Sequence, residues 1–469
     1  MALRSSLLAT GALLLAAQLA CADTLWDVYQ LARQNDPQLR EAEATRMANR
    51  EARPQAMGAL LPQITATGGW SKNAAQMSRS GLSFGSIFST SESNNRSDQT
   101  DWSLQLRQTL FRWDQWVRLR QADKQLVQAD LGYRVAELDL YTRVADAYFN
   151  VLAAEDTLAA SSGAREAIGR QLDQAQKRFE VGLIAITDVQ ESQAGYDKSV
   201  ADEIVAKRQL ANSKEVLREI VGDYPGELAK PVEDLPLISP DPEDEDQWVE
   251  FALQQNLSLQ AAQLDADIAR DNISIARSGH MPTIDLVASR SNTDQDGKTN
   301  GHFGGAPTIG KNSLDQTSDS ISLQASLPIF SGGATNSKVQ QAVYQHRASK
   351  ERLERTARQT ERATRDAYQA VITDISRVKA LGQALKSAET ALEATEAGFE
   401  VGTRTTVDVL DSRRQLLQAQ TNYARSRYDY IVNVLKLKEA AGTLEDEDIQ
   451  QANAWLLAGA AGEAASQPD

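Results

Sequence analysis

Four short stretches of the chain alternate apolar and polar residues with period two. Ile64, Ala66, Gly68 and Trp70 alternate with Gln63, Thr65, Thr67, Gly69 and Ser71. Trp102, Leu104, Leu106 and Leu110 are spaced by Ser103, Gln105, Arg107 and Thr109. Ile321, Leu323, Ala325, Leu327 and Ile329 alternate with Ser322, Gln324, Ser326 and Pro328. Ile284, Leu286 and Ala288 make a fourth, less regular set, because Val287 interrupts the polar face. Period two sends successive side chains to opposite faces, so strands are predicted over about 61–72, 101–111, 281–291 and 319–330. About nine alternating residues is the length of a strand crossing a membrane, one face in lipid and one in water. An ordinary half-buried sheet gives the same period. The strands come as two pairs, and each pair brackets a stretch rich in Ser, Gly, Asn, Asp and Thr. These stretches, Lys72 to Thr100 and Asn292 to Ser320, are expected to be extracellular loops.

Between the strands the period changes. Ile186, Val189, Tyr196, Val200 and Ile204 recur at threes, fours and sevens, the spacing of a helix seam. None of the twelve prolines lies between Pro62 and Pro225 or between Pro328 and Pro468. Proline inside a helix costs about 3 kcal/mol, so these voids permit very long helices. The composition predicts helical hairpins over 113–222 and 334–441, turning at Gly182 and Gly402. At 1.5 Å per residue the longer arm reaches on the order of 100 Å. A plain coiled-coil rod fits the helical pattern equally well; the four alternating stretches do not belong to one.

The two sets of elements are copies. Phe179-Glu180-Val181-Gly182 recurs as Phe399-Glu400-Val401-Gly402, and Asp188-Val189 as Asp408-Val409, each 220 positions on. Asp146-Ala147-Tyr148 recurs as Asp366-Ala367-Tyr368 at the same offset. The chain divides into a first repeat at 23–226, an acidic, proline-rich joint at 227–247, a second repeat at 248–443 and a tail at 444–469. The prediction is a mainly α protein with internal duplication and a transmembrane β-barrel. Four strands cannot close a barrel, and open edges in lipid leave backbone groups unsatisfied at several kcal/mol each. Two or more chains must therefore share one barrel: a dimer gives eight strands and a filled interior, a trimer twelve and a lumen.

Residues 1–22 read as an export signal, with Arg4 ahead of an apolar run and Ala20-Cys21-Ala22 as the cleavage site. The competing reading is a lipoprotein signal with Cys21 acylated, but Gln18 stands where an aliphatic residue is expected. No other run reaches the roughly 18 apolar residues of a membrane helix. A formal net charge of −15 argues against nucleic acid as a partner. Three scattered His and one Cys offer no metal or cofactor site, and no Ser/His/Asp set suggests an enzyme. Gly301-His302-Phe303-Gly304-Gly305 lacks the strand and helix of a phosphate loop and is expected to be a flexible outer loop.

Several ordered stretches carry a family resemblance over nearly all of the mature length. They are Arg170-Gln171-Leu172-Asp173-Gln174, Arg178-Phe179 with Val181-Gly182-Leu183, and Ala185-Ile186-Thr187-Asp188-Val189-Gln190. Val401-Gly402-Thr403-Arg404-Thr405, Val407-Asp408-Val409-Leu410-Asp411, Gly279-His280-Met281-Pro282-Thr283 and Leu327-Pro328-Ile329-Phe330 extend the set. The sequence resembles the TolC family of outer-membrane efflux and type I secretion channels. That resemblance implies a homotrimer with a twelve-stranded β-barrel, four strands per chain, continuous with a twelve-helix periplasmic α-barrel. It further implies a mixed equatorial belt from 225–256 and the residues after 441. The expected partners are outer-membrane lipid, a periplasmic adaptor (membrane fusion) protein, and an inner-membrane pump of the resistance-nodulation-division or ABC type.

The resemblance also assigns sites. Asp408 and Asp411, at i and i+3 on one helix face, match two aspartate rings at the narrow periplasmic entrance; on pattern alone they are a solvated helix face. Arg404 matches an arginine that tethers the inner helical pair to the outer through positions of Thr187 and Asp188. The same tether includes an aromatic hydroxyl at the position of Phe399, which has none. Val181, Gly182, Leu183, Val401, Gly402 and Thr403 match the tip turns that contact the adaptor. The function expected is a passive exit duct for drugs or proteins, with a non-pore periplasmic coiled-coil structural or adaptor protein as the alternative.

Overall fold

The computed structural model describes residues 23–83, 86–224, 226–232, 235–303 and 306–465. Residues 1–22, the stretch expected to be an export signal, with Cys21, lie outside the described residues. The elements are α1 (Leu25–Asn35), α2 (Pro37–Arg50), α3 (Ala52–Gly58), β1 (Gln63–Ser83), β2 (Ser86–Phe111), α4 (Trp113–Glu180), α5 (Ile186–Val221), α6 (Glu245–Gln255) and α7 (Leu257–Arg277). A 3-10 turn at Ser278–His280 leads into β3 (Thr283–Phe303), β4 (Ala306–Ser326), α8 (Ala334–Glu400), α9 (Thr406–Ala441) and α10 (Asp446–Ala465). Two compact units result. One is built from 47–129 and 263–351, the other from residues up to 46, 130–262 and 352 onward. Each unit thus draws matching stretches from both halves of the chain.

The first unit holds an antiparallel sheet in the order β1-β2-β3-β4. Its register places Ile64 opposite Leu106, Leu106 opposite Ala288 and Ala288 opposite Ile321, so the apolar positions of all four strands share one face. That face is bare: Ile64 is 67% exposed, Trp70 69% and Ile321 81%. The other face carries Thr67, whose hydroxyl lies 2.7 Å from that of Ser103, and Arg107, which donates to Asp285 at 2.7 Å. β1 and β4 are the sheet's edges.

The strands depart from the sequence expectation at both ends. The stretches expected as polar loops, 72–100 and 292–320, are instead strand almost throughout. Gly301–Phe303 likewise ends β3 rather than opening a loop, with Gly304 and Gly305 outside the described residues, and a Cβ on Gly301 would run into the Glu92 carbonyl oxygen. Ladder hydrogen bonds are made by the backbone, so pairing continues where both faces turn polar and the period-two signal fades. At the other end β4 stops at Ser326, short of the expected 330, because Pro328 has no N–H to give the ladder.

The second unit has its core where the long helices meet the joint and the tail. Tyr148, Phe149 and Leu152 of α4 pack with Leu217 of α5, Ile431 and Leu435 of α9, Tyr29 of α1 and Ile449 of α10. The irregular joint is fastened to that core by tyrosines. The Tyr148 hydroxyl lies 2.7 Å from the Ala229 carbonyl oxygen, and Tyr430 donates to the Ile238 carbonyl at 2.9 Å. Asp23 bridges in parallel to Leu228, and Val232 N–H donates to the Trp455 carbonyl at 3.1 Å. Buried Asp36 receives Arg143 at 2.8 Å and the Leu39 N–H at 2.9 Å, tying the α1–α2 corner to α4. Burial opposes its ionisation, but the Arg143 and backbone hydrogen bonds win and hold the carboxyl below its ordinary value.

Candidate functional site

The far ends of the two helical hairpins close with the same backbone device. After α4, Gly182 takes φ 77°, its N–H reaches the Phe179 carbonyl at 2.8 Å and the Leu183 N–H reaches Arg178 at 2.9 Å. After α8, Gly402 takes φ 81°, bonding Phe399 at 3.1 Å, with Thr403 N–H on Gly398 at 2.8 Å. These are glycine-terminated C-caps, in which only glycine meets the positive φ without strain. Both tips leave apolar side chains in water: Val181, Leu183 and Val401 are all at least 70% exposed.

The returning helices also begin alike. The Asp408 carboxylate accepts from the Thr405 N–H and hydroxyl, both at 2.9 Å, while the Thr405 hydroxyl accepts from Asp408 N–H at 3.2 Å. This is a capping box. The Thr405 backbone N–H and hydroxyl, and then the Arg404 charge, hold Asp408 below the usual carboxylate range. At the matching start of α5, Asp188 accepts from the Ala185 N–H at 3.3 Å; alanine has no oxygen to complete the box.

The structure places the remaining sequence-predicted residues as follows. Asp411 lies one turn beyond Asp408 and is ion-paired with Arg414. Phe399 lies under the Arg178 guanidinium, 5.3 Å from its ring centre, so a cation from α4 sits on the face of an α8 aromatic. The Arg404 backbone N–H bonds the Gly398 carbonyl at 3.2 Å, and its side-chain stem packs where a Gly398 Cβ would stand, 2.8 Å away. Thr187 and Asp188 lie in the first turn of α5. Among the described residues, no hydrogen bond or ion pair within the chain joins Arg404 to either of them. The sequence reading gave no role to Arg178, Arg414 or Thr405. Thr405 was visible as a T-x-x-D start signal and Arg414 as a cation at i+3, whereas nothing local announces Arg178.

Beside the aspartates, α4, α5 and α9 enclose a groove of about 320 Å³. Ile168, Ala194, Leu410 and Leu417 form its floor, and Lys198 and Asp202 stand in its wall. The helices come close because residue 195 is glycine: a Cβ there would meet Leu410 at 3.0 Å. Arg413 of α9 is ion-paired with Glu396 of α8. Charge, apolar surface and glycine turns are gathered here. Among the described residues no three His, Cys, Asp or Glu are grouped to hold a metal, and no helix is long and apolar enough to cross a membrane.

A family model described as outer membrane efflux protein matches the chain twice, over residues 28–223 and 248–443. The chain is 40% identical to the outer membrane protein TolC of Vibrio cholerae over 437 residues, 93% of this chain and 94% of that relative. It is 28% identical to the alkaline protease secretion protein AprF of Pseudomonas aeruginosa, over 95% of this chain and 90% of AprF. Among solved structures, the CmeC outer membrane channel of Campylobacter jejuni superposes with a TM-score of 0.69 at 17% identity, covering 92% of this chain and 89% of CmeC.

Proposed function

The chain belongs to the outer membrane efflux protein family, and on that premise we propose that it is the passive outer-membrane exit duct of efflux and type I secretion systems. The double match of the family model carries the reading: both halves are copies of one efflux unit. An adaptor and an inner-membrane pump deliver the cargo, and the chemistry of the chain is gating rather than turnover. The same reading makes residues 1–22 an export signal and 227–247 the joint between two copies of one structural unit, at 23–226 and 248–443.

The bare apolar face of the sheet supports a lipid-facing wall, since in water so much exposed Ile, Leu and Trp favours association. It weighs against a non-pore periplasmic coiled-coil protein. Edges β1 and β4 need partners in lipid, and three copies supply twelve strands around a lumen. In that trimer Asp408 and Asp411 make two rings at the periplasmic entrance, and the apolar tips beside Gly182, Gly402 and Thr403 receive the adaptor. Each Asp411 brings Arg414 with it, so the Asp408 ring carries most of the net charge. A tether from Arg404 to Thr187 and Asp188, not made within one chain, joins neighbouring copies. The test is analytical ultracentrifugation in mild detergent with conductance in planar bilayers. A three-chain mass and discrete channels are expected; a detergent-soluble monomer without conductance overturns the reading.

A further inference from the structure

Beyond its apolar rows the sheet carries a charge pattern that strand pairing alone disfavours. The register sets Arg96 opposite Lys298 and Lys298 opposite Lys311. Directly opposed residues share a face with Cβ atoms roughly 5 Å apart, and like charges so placed repel. Three cations therefore form one row across β2, β3 and β4, about 10 Å wide at the spacing of strands. The ion pairs described in the sheet join Lys72 to Asp98, Arg107 to Asp285 and Arg290 to Asp319, and none includes a member of this row. Asp296 stands one row nearer the helices, beside Lys72 and Asp98, and Glu92 two rows farther out. The three cations line a cavity of about 650 Å³ together with Lys72 and with Asn94 and Asn300, whose amides add hydrogen-bond donors. The carboxylates of Asp98 and Asp296 line its end nearer the helices, where Lys72 is paired with Asp98.

The row lies on the apolar face. Trp70, Lys72 and Ala74 follow one another by twos along β1, and Ala74 is opposite Arg96. Trp102, on the same face of β2, is opposite Gly68. Exposed tryptophans on a lipid-facing barrel wall mark the edge of the hydrocarbon. Four residues from Trp70 to Ala74 advance about 13 Å along a strand, or about 10 Å along the membrane normal at barrel tilt. The helices attach at the other end of every strand, so the row points away from the periplasm. It stands at the depth of outer-leaflet headgroups.

We propose that Arg96, Lys298 and Lys311 bind the phosphate groups of an outer-leaflet glycolipid headgroup. The assignment rests on the reading that this sheet spans the outer membrane. Facing lipid, the row cannot select ions in the lumen; facing phosphates, its mutual repulsion is neutralised. Charge-assisted bonds from guanidinium and ammonium groups to phosphate are the strong ones.

The test uses the full-length protein in mild detergent and R96Q/K298Q/K311Q. The probes are a bisphosphorylated glucosamine-disaccharide lipid, the same lipid without phosphates, and inorganic phosphate, with bound lipid counted by native mass spectrometry. Each cation near an anionic lipid surface contributes roughly fivefold, so the triple variant should lose about a hundredfold in affinity. The dephosphorylated lipid should show the same loss on the wild type, and added salt should weaken wild-type binding. Equal binding of the phosphorylated lipid by variant and wild type overturns the site. Displacement of that lipid by millimolar inorganic phosphate overturns its assignment to a headgroup. Both outcomes are read on an intact trimer; a wild type that is not trimeric overturns the channel reading instead.

Discussion

The contact between Arg178 and Phe399 can be made to report on the closed state. It joins the last turn of α4 to the last turn of α8. Phe399 is 41% exposed, so the lower range of cation–π strengths applies, about 0.5–1 kcal/mol. If all three copies in the proposed trimer open together, the contacts sum to roughly 1.5–3 kcal/mol. The ratio of closed to open channel then changes between about ten- and a hundredfold. Phe399→Leu keeps apolar bulk and removes the ring face, so open time in single-channel recordings should rise by that factor. Phe399→Trp, with the stronger quadrupole, should lengthen closures beyond the wild type. A Phe399→Leu trimer that opens no more often than the wild type would refute the reasoning.

Other contacts lead to further outcomes. Arg404→Ser should raise single-channel conductance, and unchanged conductance places the tether elsewhere. Asp408→Asn with Asp411→Asn should abolish block by a trivalent cation added from the periplasmic side, whereas Arg414→Gln should tighten it by unmasking Asp411; a double Asn channel blocked as tightly as the wild type leaves both aspartates as a solvated helix face. Arg143→Met strands the buried Asp36 charge and should cost about 3–5 kcal/mol, read as a lower midpoint in thermal circular dichroism, and an unshifted midpoint contradicts it. Because Asp36 titrates below its ordinary 3.8 when folded, its contribution is full above that value and is lost as pH falls through the lower folded value. The wild type should therefore lose stability in strong acid by more than Arg143→Met does.

The long helices were legible because two kinds of signal agreed: no proline between Pro62 and Pro225, and glycines at the two turns. The halves of the strands nearest the helices were legible because exposed Ile64, Leu104 and Ile321 impose alternation. Their outer halves were not, since Asn94, Lys298 and Ser313 stand where both faces are polar and only the backbone ladder persists. At the start of α9 the i, i+3 spacing of Asp408 and Asp411 is plain in the sequence, but spacing does not show their local partners. Thr405 takes part of the Asp408 carboxylate and Arg414 part of that of Asp411, a competition for the same oxygens that spacing alone does not weigh. Arg178 and Phe399 lie more than 200 residues apart, and only the folding together of two hairpins makes them neighbours.

The unpaired edges of β1 and β4 have a genetic consequence. In the proposed trimer every chain lends one edge to each neighbour, so a subunit with a damaged edge spoils the ring it enters. Where intact and damaged copies are made in equal amounts and mix at random, about one ring in eight contains three intact chains. An edge mutation should therefore act dominantly, suppressing export far below half in a cell that still carries a good gene. A mutation in the core around Tyr148 should behave otherwise: a chain that fails to fold never reaches the ring, and half the subunits still make whole channels.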